Sequence, residues 1–167
     1  IDSNLMQPLL ATGDLSGTAD TIEGVDLSVT KATNSPSSNV AVDATNVKWG
    51  SFEFRAIGDD LKVEQITVDT DITNASGDGL DNGKVFLNGV QIGSTQDIDE
   101  SGTTFSFGSQ MVLKRGTVAV VDVYSDAKTS TSTSMSTGAT VNVGVSVATA
   151  DTEGVKSGDR LTTAVSE

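Results

Sequence analysis

The stretch Lys48–Asp69, KWGSFEFRAIGDDLKVEQITVD, constrains the fold more than any other part of the chain. Phe52, Phe54 and Ala56 alternate with Glu53 and Arg55, the period-two pattern of a half-buried strand. Gly58-Asp59-Asp60 supplies turn chemistry, because Gly tolerates positive φ and Asp can bond its own backbone. Beyond the turn Leu61 and Val63 face inward, and the apolar phase then slips to Ile66 and Val68, which predicts a β-bulge near Glu64–Gln65. The stretch reads as a hairpin of two strands around one tight turn, and it holds Trp49, Phe52 and Phe54, the densest group of aromatic core candidates.

Similar short patterns recur along the chain. Val25–Lys31 alternates at Val25, Leu27 and Val29, and Val40–Val42 reads as a short strand leading to Asn46–Trp49. Lys84–Asn88 and Val90–Ile92 flank Asn88-Gly89, a strong hairpin signal because a type I′ turn needs positive φ at both central positions. Thr104–Phe107 and Gln110–Lys114 read as two strands. Thr117–Ser125 is apolar on both faces, with Ala119, Val121 and Val123 on one and Val118, Val120 and Tyr124 on the other, so it is expected to be central in a sheet or covered. Ala139–Ala150 places Val141, Val143, Val145 and Val147 on one face, and Leu161–Val165 is expected to form a last strand. Asp69–Asn82 and the low-complexity Thr129–Gly138 read as loops.

Aromatic residues are only 4% of the chain, and Thr, Ser, Gly, Asp and Val dominate, which disfavours helices and suits short strands between turns. The expectation is an all-β, two-sheet sandwich of the immunoglobulin type, with a closed barrel as the alternative and strand order open. At 167 residues one domain with its own core suffices. That domain is placed at residues 25–167, preceded by an extended arm over residues 1–24, where Leu5, Met6, Leu9 and Leu10 cluster around Pro8 before a turn-rich run.

Charge and residue chemistry exclude several functions. The net charge of −13, from 10 basic and 23 acidic residues, opposes non-specific attraction to nucleic acid or an anionic membrane. No run approaches the roughly 18 to 20 apolar residues of a membrane span, so no membrane insertion is expected. Ile1 is no initiator, and the chain is expected to be a processed product or an excised piece. The chain has no Cys and no His, so the thiol nucleophile and the common base are both missing, and no Ser sits in a GxSxG elbow. Nothing singles out two of its 23 acids as a glycosidase pair. No enzyme is expected.

Binding chemistry is better represented. Asp69, Asp71, Asn74, Asp78 and Asp81 offer hard oxygen donors for calcium, the only cofactor suggested, although their spacing fits no EF-hand and the same residues make ordinary solvated turns. Asn74-Ala75-Ser76 is a glycosylation sequon, and the Thr129–Thr137 tract is either a flexible loop or a site of O-linked sugar. Trp49 and Tyr124 would form a stacking platform for a surface glycan, or Trp49 belongs to the core. Lys48, Lys62 and Lys84 are candidates for an isopeptide bond to Asn, against the simpler reading of solvent-facing lysines.

The order of segments LSVTKATNSPSSNVAVDATNVKWGSFEFRAIGDDLKVEQITV, KVFLNGVQIGS, TFSFGSQMVLKRGTVAVVDVYSD and VNVGVSVATADTEGVKSGDRL resembles the immunoglobulin-like repeat of large secreted surface proteins from small, uncultivated bacterial lineages. The resemblance spans about Val25 to Leu161 and carries no catalytic motif. It implies an extracellular, cell-surface building block whose repeats contact one another. Here one repeat stands where those proteins have tandem arrays, and the arm lies outside the match. The chain is therefore expected to be a structural subunit whose main partner is another copy of itself, in a pilus-like filament or S-layer-like sheet. Leu5, Met6, Leu9, Leu10, Val118 and Val120 are its expected polymer contacts, and the arm acts as a donor strand. The alternatives are a monomeric module binding glycan or protein and a calcium-stiffened spacer in a larger adhesin.

Overall fold

The structure is a computed structural model that describes residues 24–73 and 79–167. Ten strands follow in chain order: β1 (Asp26–Lys31), β2 (Val47–Ile57), β3 (Leu61–Thr73), β4 (Leu80–Leu87), β5 (Val90–Ile98), β6 (Thr103–Leu113), β7 (Val118–Ser125), β8 (Thr140–Val147), β9 (Thr152–Gly154) and β10 (Val165–Ser166). The only helical element among the described residues is one 3-10 turn at Thr149–Asp151. One sheet has the order β1-β2-β7-β4-β5, the other β10-β8-β3-β6 with β9 paired to β3, and all pairings are antiparallel. The two sheets face each other as a sandwich and do not close into a barrel.

An immunoglobulin sandwich sets strands A, B, E and D in one sheet and C, F and G in the other. Here β1, β2, β7 and β4 take the first set of places and β3, β8 and β10 the second. β5 and β6 are an insertion between D and E, and each extends one sheet by a strand.

The inward faces that alternation predicted form the interior. Phe52, Phe54 and Ala56 of β2 meet Leu61, Val63, Ile66 and Val68 of β3, with Phe105, Met111 and Leu113 of β6, Leu80 and Val85 of β4, and Val121 and Val123 of β7 around them. β7 is central in its sheet, between β2 and β4. Asn88 and Gly89 have φ of 49° and 83°, and Leu87 faces Val90, as the type I′ hairpin requires. The β3 slip is a true register shift between Val63 and Gln65.

Several local expectations need correction. Lys48–Asp69 is not a hairpin: β2 pairs with β1 and β7, β3 with β6, β8 and β9, so the turn carries the chain from one sheet to the other. A hairpin would have laid both apolar faces side by side, still in need of a cover, whereas the crossing sets them against each other. The tight-turn signal is the same in both cases. Asp69–Asn82 is not one loop, because β3 continues to Thr73 and β4 starts at Leu80. Val40–Val42 forms no strand; Ala44 N–H closes a turn on the Ala41 carbonyl, and Val40 and Val42 are exposed. The two strands expected between Thr104 and Lys114 are one irregular strand, β6. At the end of the chain only Val165–Ser166 is strand, and Leu161 is a buried plug.

The crossing is held by its acids. Asp59 Oδ2 accepts the Ser157 and Lys156 backbone N–H at 2.9 and 2.7 Å. Asp60 Oδ1 accepts the Arg115 N–H at 2.9 Å, and its Oδ2 meets Lys114 Nζ at 2.9 Å. Gly58, with φ of 84°, packs so closely on the Gly24 carbonyl that a Cβ would lie 2.6 Å from it. The backbone donors of Ser157 and Lys156 hold the Asp59 carboxyl below the usual range, and those of Arg115, aided by Lys114, do the same for Asp60.

Two outcomes follow. A carboxyl depressed in the folded state stabilises above its unfolded value, about 3.9, and loses that contribution as pH falls through the lower folded value. Thermal melts should therefore put Asp59→Asn below the wild type at pH 7, with the gap closing below about pH 4. A Cβ at Gly83 would lie 2.4 Å from the Ile98 side chain and 2.7 Å from the Gln96 carbonyl, so Gly83→Ala should cost about 1 to 3 kcal/mol in denaturant unfolding.

Candidate functional site

Along one side of the sandwich the edge strands stop short. β1 reaches only to Lys31, opposite Phe52, so Val47–Gly50 of β2 have a ladder partner in β7 alone. β10 covers only Val147 and Ser146 of β8, with Glu167 exchanging both backbone hydrogen bonds with Val145 at 2.9 Å. Between the two uncovered segments lies an open groove of about 750 Å³. Its walls include Trp49, Met135, Val141 and Val143, and the loop around Val40 and Val42 forms its rim.

Trp49 is placed here by a bulge. The β2–β7 register runs Val47↔Ser125, Lys48↔Tyr124, then Gly50↔Val123, which leaves Trp49 as the extra residue. Its ring is half-buried against the core, and Nε1 donates to Ser125 Oγ at 2.7 Å. Tyr124 lies on the outer face of the same sheet against Phe86, with ring centroids 4.9 Å apart, so the two aromatics do not form one platform. Val118 and Val120 are half-buried on that outer face.

The Thr129–Thr137 tract is shaped more firmly than a flexible loop. Thr129 is fully buried, its N–H donates to the Thr133 carbonyl at 2.9 Å, and Met135 enters the core. At this end the chain also gathers Asp126, whose carboxylate accepts the Asn46 backbone N–H at 2.8 Å and the Asn82 side-chain amide at 2.9 Å. Asp43, Asn46, Asn82 and Ser132 all have φ between 53° and 62° here. Asp81 is buried and accepts Ser132 Oγ–H at 2.9 Å. Sequence reading missed Asp126; the signal was the Asx residues before and after strands, which bond backbone in turns.

The other expected site residues separate. Asp69 and Asp71 are exposed on β3, the Asp69 carboxylate resting over Gly144. Asn74, Asp78 and the contacts Leu5, Met6, Leu9 and Leu10 lie outside the described residues. Among the described residues no group of three or more acidic side chains is placed to hold a metal ion. No helix there is long and apolar enough to cross a membrane.

Each candidate lysine has a partner. Lys48 meets Asp122 at 2.8 Å and Lys62 bridges Glu64 and Glu153 at 2.9 and 3.1 Å. Lys84 Nζ donates to Asn46 Oδ1 at 3.2 Å beside Asp126, which places an amine, an amide and an acid together. Amide formation there needs a protonated acid to assist loss of ammonia. The Asn46 N–H, seconded by Asn82, instead holds the Asp126 carboxyl below its usual range despite the opposing effect of burial. The cluster is suited to fixing the loop, not to forming the bond.

No protein-family model, curated protein or solved structure matches the chain. Trp49 is the chain's only tryptophan, so its emission reports the groove. Ser125→Ala, which strips the indole N–H of its partner, should cost about 1 kcal/mol in thermal unfolding and shift Trp49 emission.

Proposed function

We propose that the protein is a structural module of an extracellular surface assembly that joins copies of itself by strand addition. The observation that supports this is the open edge of β8. Val145 directs its N–H and C=O away from β3, toward Glu167. By the two-residue period of a strand, Val141 and Val143 direct theirs to the same side, where β10 does not reach. Among the described residues these groups have no backbone partner.

Sheet edges are usually blunted by charge, proline or bulges. β5 is broken from β4 by two register shifts, and β6 is interrupted opposite Val63–Gln65. β1 carries Asp26 and Lys31 at its ends. The Thr140–Gly144 run, TVNVG, has none of these devices. The resemblance to secreted surface repeats favours the cell exterior as the setting, and the acidity suits an exposed surface that stays in solution.

A monomeric glycan-binding module is the second reading, favoured by Trp49 on the groove wall. Light scattering and negative-stain microscopy separate the two. On the first reading the wild type forms larger species as its concentration rises. Asn142→Lys, which adds charge to the exposed face of the edge, and Val143→Pro, which removes one outward N–H, should each suppress them with the sandwich still melting cooperatively. A wild type that stays monomeric throughout, with Trp49 emission responding to soluble glycans, would establish the second reading instead.

A further inference from the structure

We propose that the groove between β2 and β8 is a socket for residues Leu5–Leu10 of a second copy of the chain, an inference that rests on the strand-addition reading above. The socket is of the right kind for a strand. It offers free backbone groups at Val141 and Val143 and apolar walls at Trp49, Met135 and Val47, and its volume falls within the roughly 300 to 1,000 Å³ typical of built binding sites. Behind the wall, Thr70, the β3 partner of Val143, has a buried hydroxyl without a hydrogen-bond partner among the described residues.

Charge does not oppose the occupant. In a chain with 23 acidic residues the groove lining includes no Asp or Glu, and its charged members are Lys31 and Lys48, the latter already paired with Asp122. An acidic strand is repelled almost everywhere else on this protein, but not here. Leu5–Leu10 is uncharged and apolar apart from Gln7, and the nearest charged residues on either side are the acids Asp2 and Asp14.

Pro8 fixes the facing. Proline is tolerated in an added strand only where its missing N–H points away from the partner. With Pro8 turned away from β8, Leu5, Gln7 and Leu9 direct their N–H groups toward it. In antiparallel pairing, residues that exchange hydrogen bonds share a face of the sheet. Val141 and Val143 face the interior, so the same register turns Leu5, Gln7 and Leu9 inward. The segment thus presents its N–H groups to the edge and two leucines to the interior, with Gln7 between them.

Taken by a second copy, the arm joins opposite ends of neighbouring sandwiches. Gly24 lies against Gly58, at the end of β1 remote from Lys31 and the groove. Residues 11–23 connect the segment to Gly24 and reach on the order of 40 Å when extended. An arm that leaves one end of the sandwich for a socket at the other end makes a head-to-tail contact, which repeats without closing and yields a filament.

The test uses full-length chains and exploits the absence of native Cys. Hydrogen-bonded antiparallel partners lie about 5.5 Å apart at Cα, within disulfide range. Glu167 already occupies Val145, so the free edge takes Leu5 opposite Val143, and chains carrying Leu5→Cys, mixed with chains carrying Val143→Cys and oxidised, should give a disulfide-linked heterodimer. Leu5→Asp with Leu9→Asp should raise the concentration needed for assembly at least about tenfold without lowering the melting temperature. The proposal is overturned if no heterodimer forms, or if the Leu5→Cys/Val143→Cys double variant links only within one chain, which would make the arm its own occupant. If the aspartate variant assembles normally while Asn142→Lys does not, edge addition stands and the arm is not the donor. A wild type that never assembles removes both readings.

Discussion

The crossing at Gly58-Asp59-Asp60 is the constraint on which the remainder of the structure depends. It turns two consecutive amphipathic strands into walls of opposite sheets, so that Phe52 and Phe54 share one interior with Leu61, Val63 and Ile66. Once those walls oppose each other, every later strand must join one sheet or the other, and the inward valines of β7 and β8 do so on opposite sides. The hydrogen bonds that Asp59 and Asp60 accept tie the crossing to the β6–β7 turn and to the loop after β9. One polar knot therefore connects segments far apart in sequence.

Strands and their inward faces were readable because a sandwich core imposes a strict two-residue period, and residues such as Val121 or Val145 report it directly. The β3 bulge was readable for the same reason, as a slip in that period. Which strands pair was not, since a tight turn permits either a hairpin or a crossing. Phe52 and Leu61 look the same from the sequence in both. The extension of β3 through Asp69 and Asp71 was hidden because exposed acids on a strand resemble acids in a loop.

The candidate site was less visible still. Trp49 was recognisable as an amphipathic side chain with a choice between core and surface, and it takes an intermediate place because a bulge displaces it. The groove itself arises from what β1 and β10 fail to cover, and no local pattern encodes where a neighbouring strand stops. The Asp126 cluster is similar: its members come from the residue before β2, from β4 and from the residue after β7, and meet only through the fold.

The length of β1 bears on how such a module would carry load. β1 pairs with β2 from Asp26↔Ile57 to Lys31↔Phe52. In the proposed filament, tension enters a subunit at Gly24 and draws β1 along its own axis. The ladder is then loaded in shear, with all its hydrogen bonds strained together, and not peeled open one at a time. The two-residue β10 lies off that path. In such a filament β1 is thus the strand whose attachment is mechanically strong in the direction of pull.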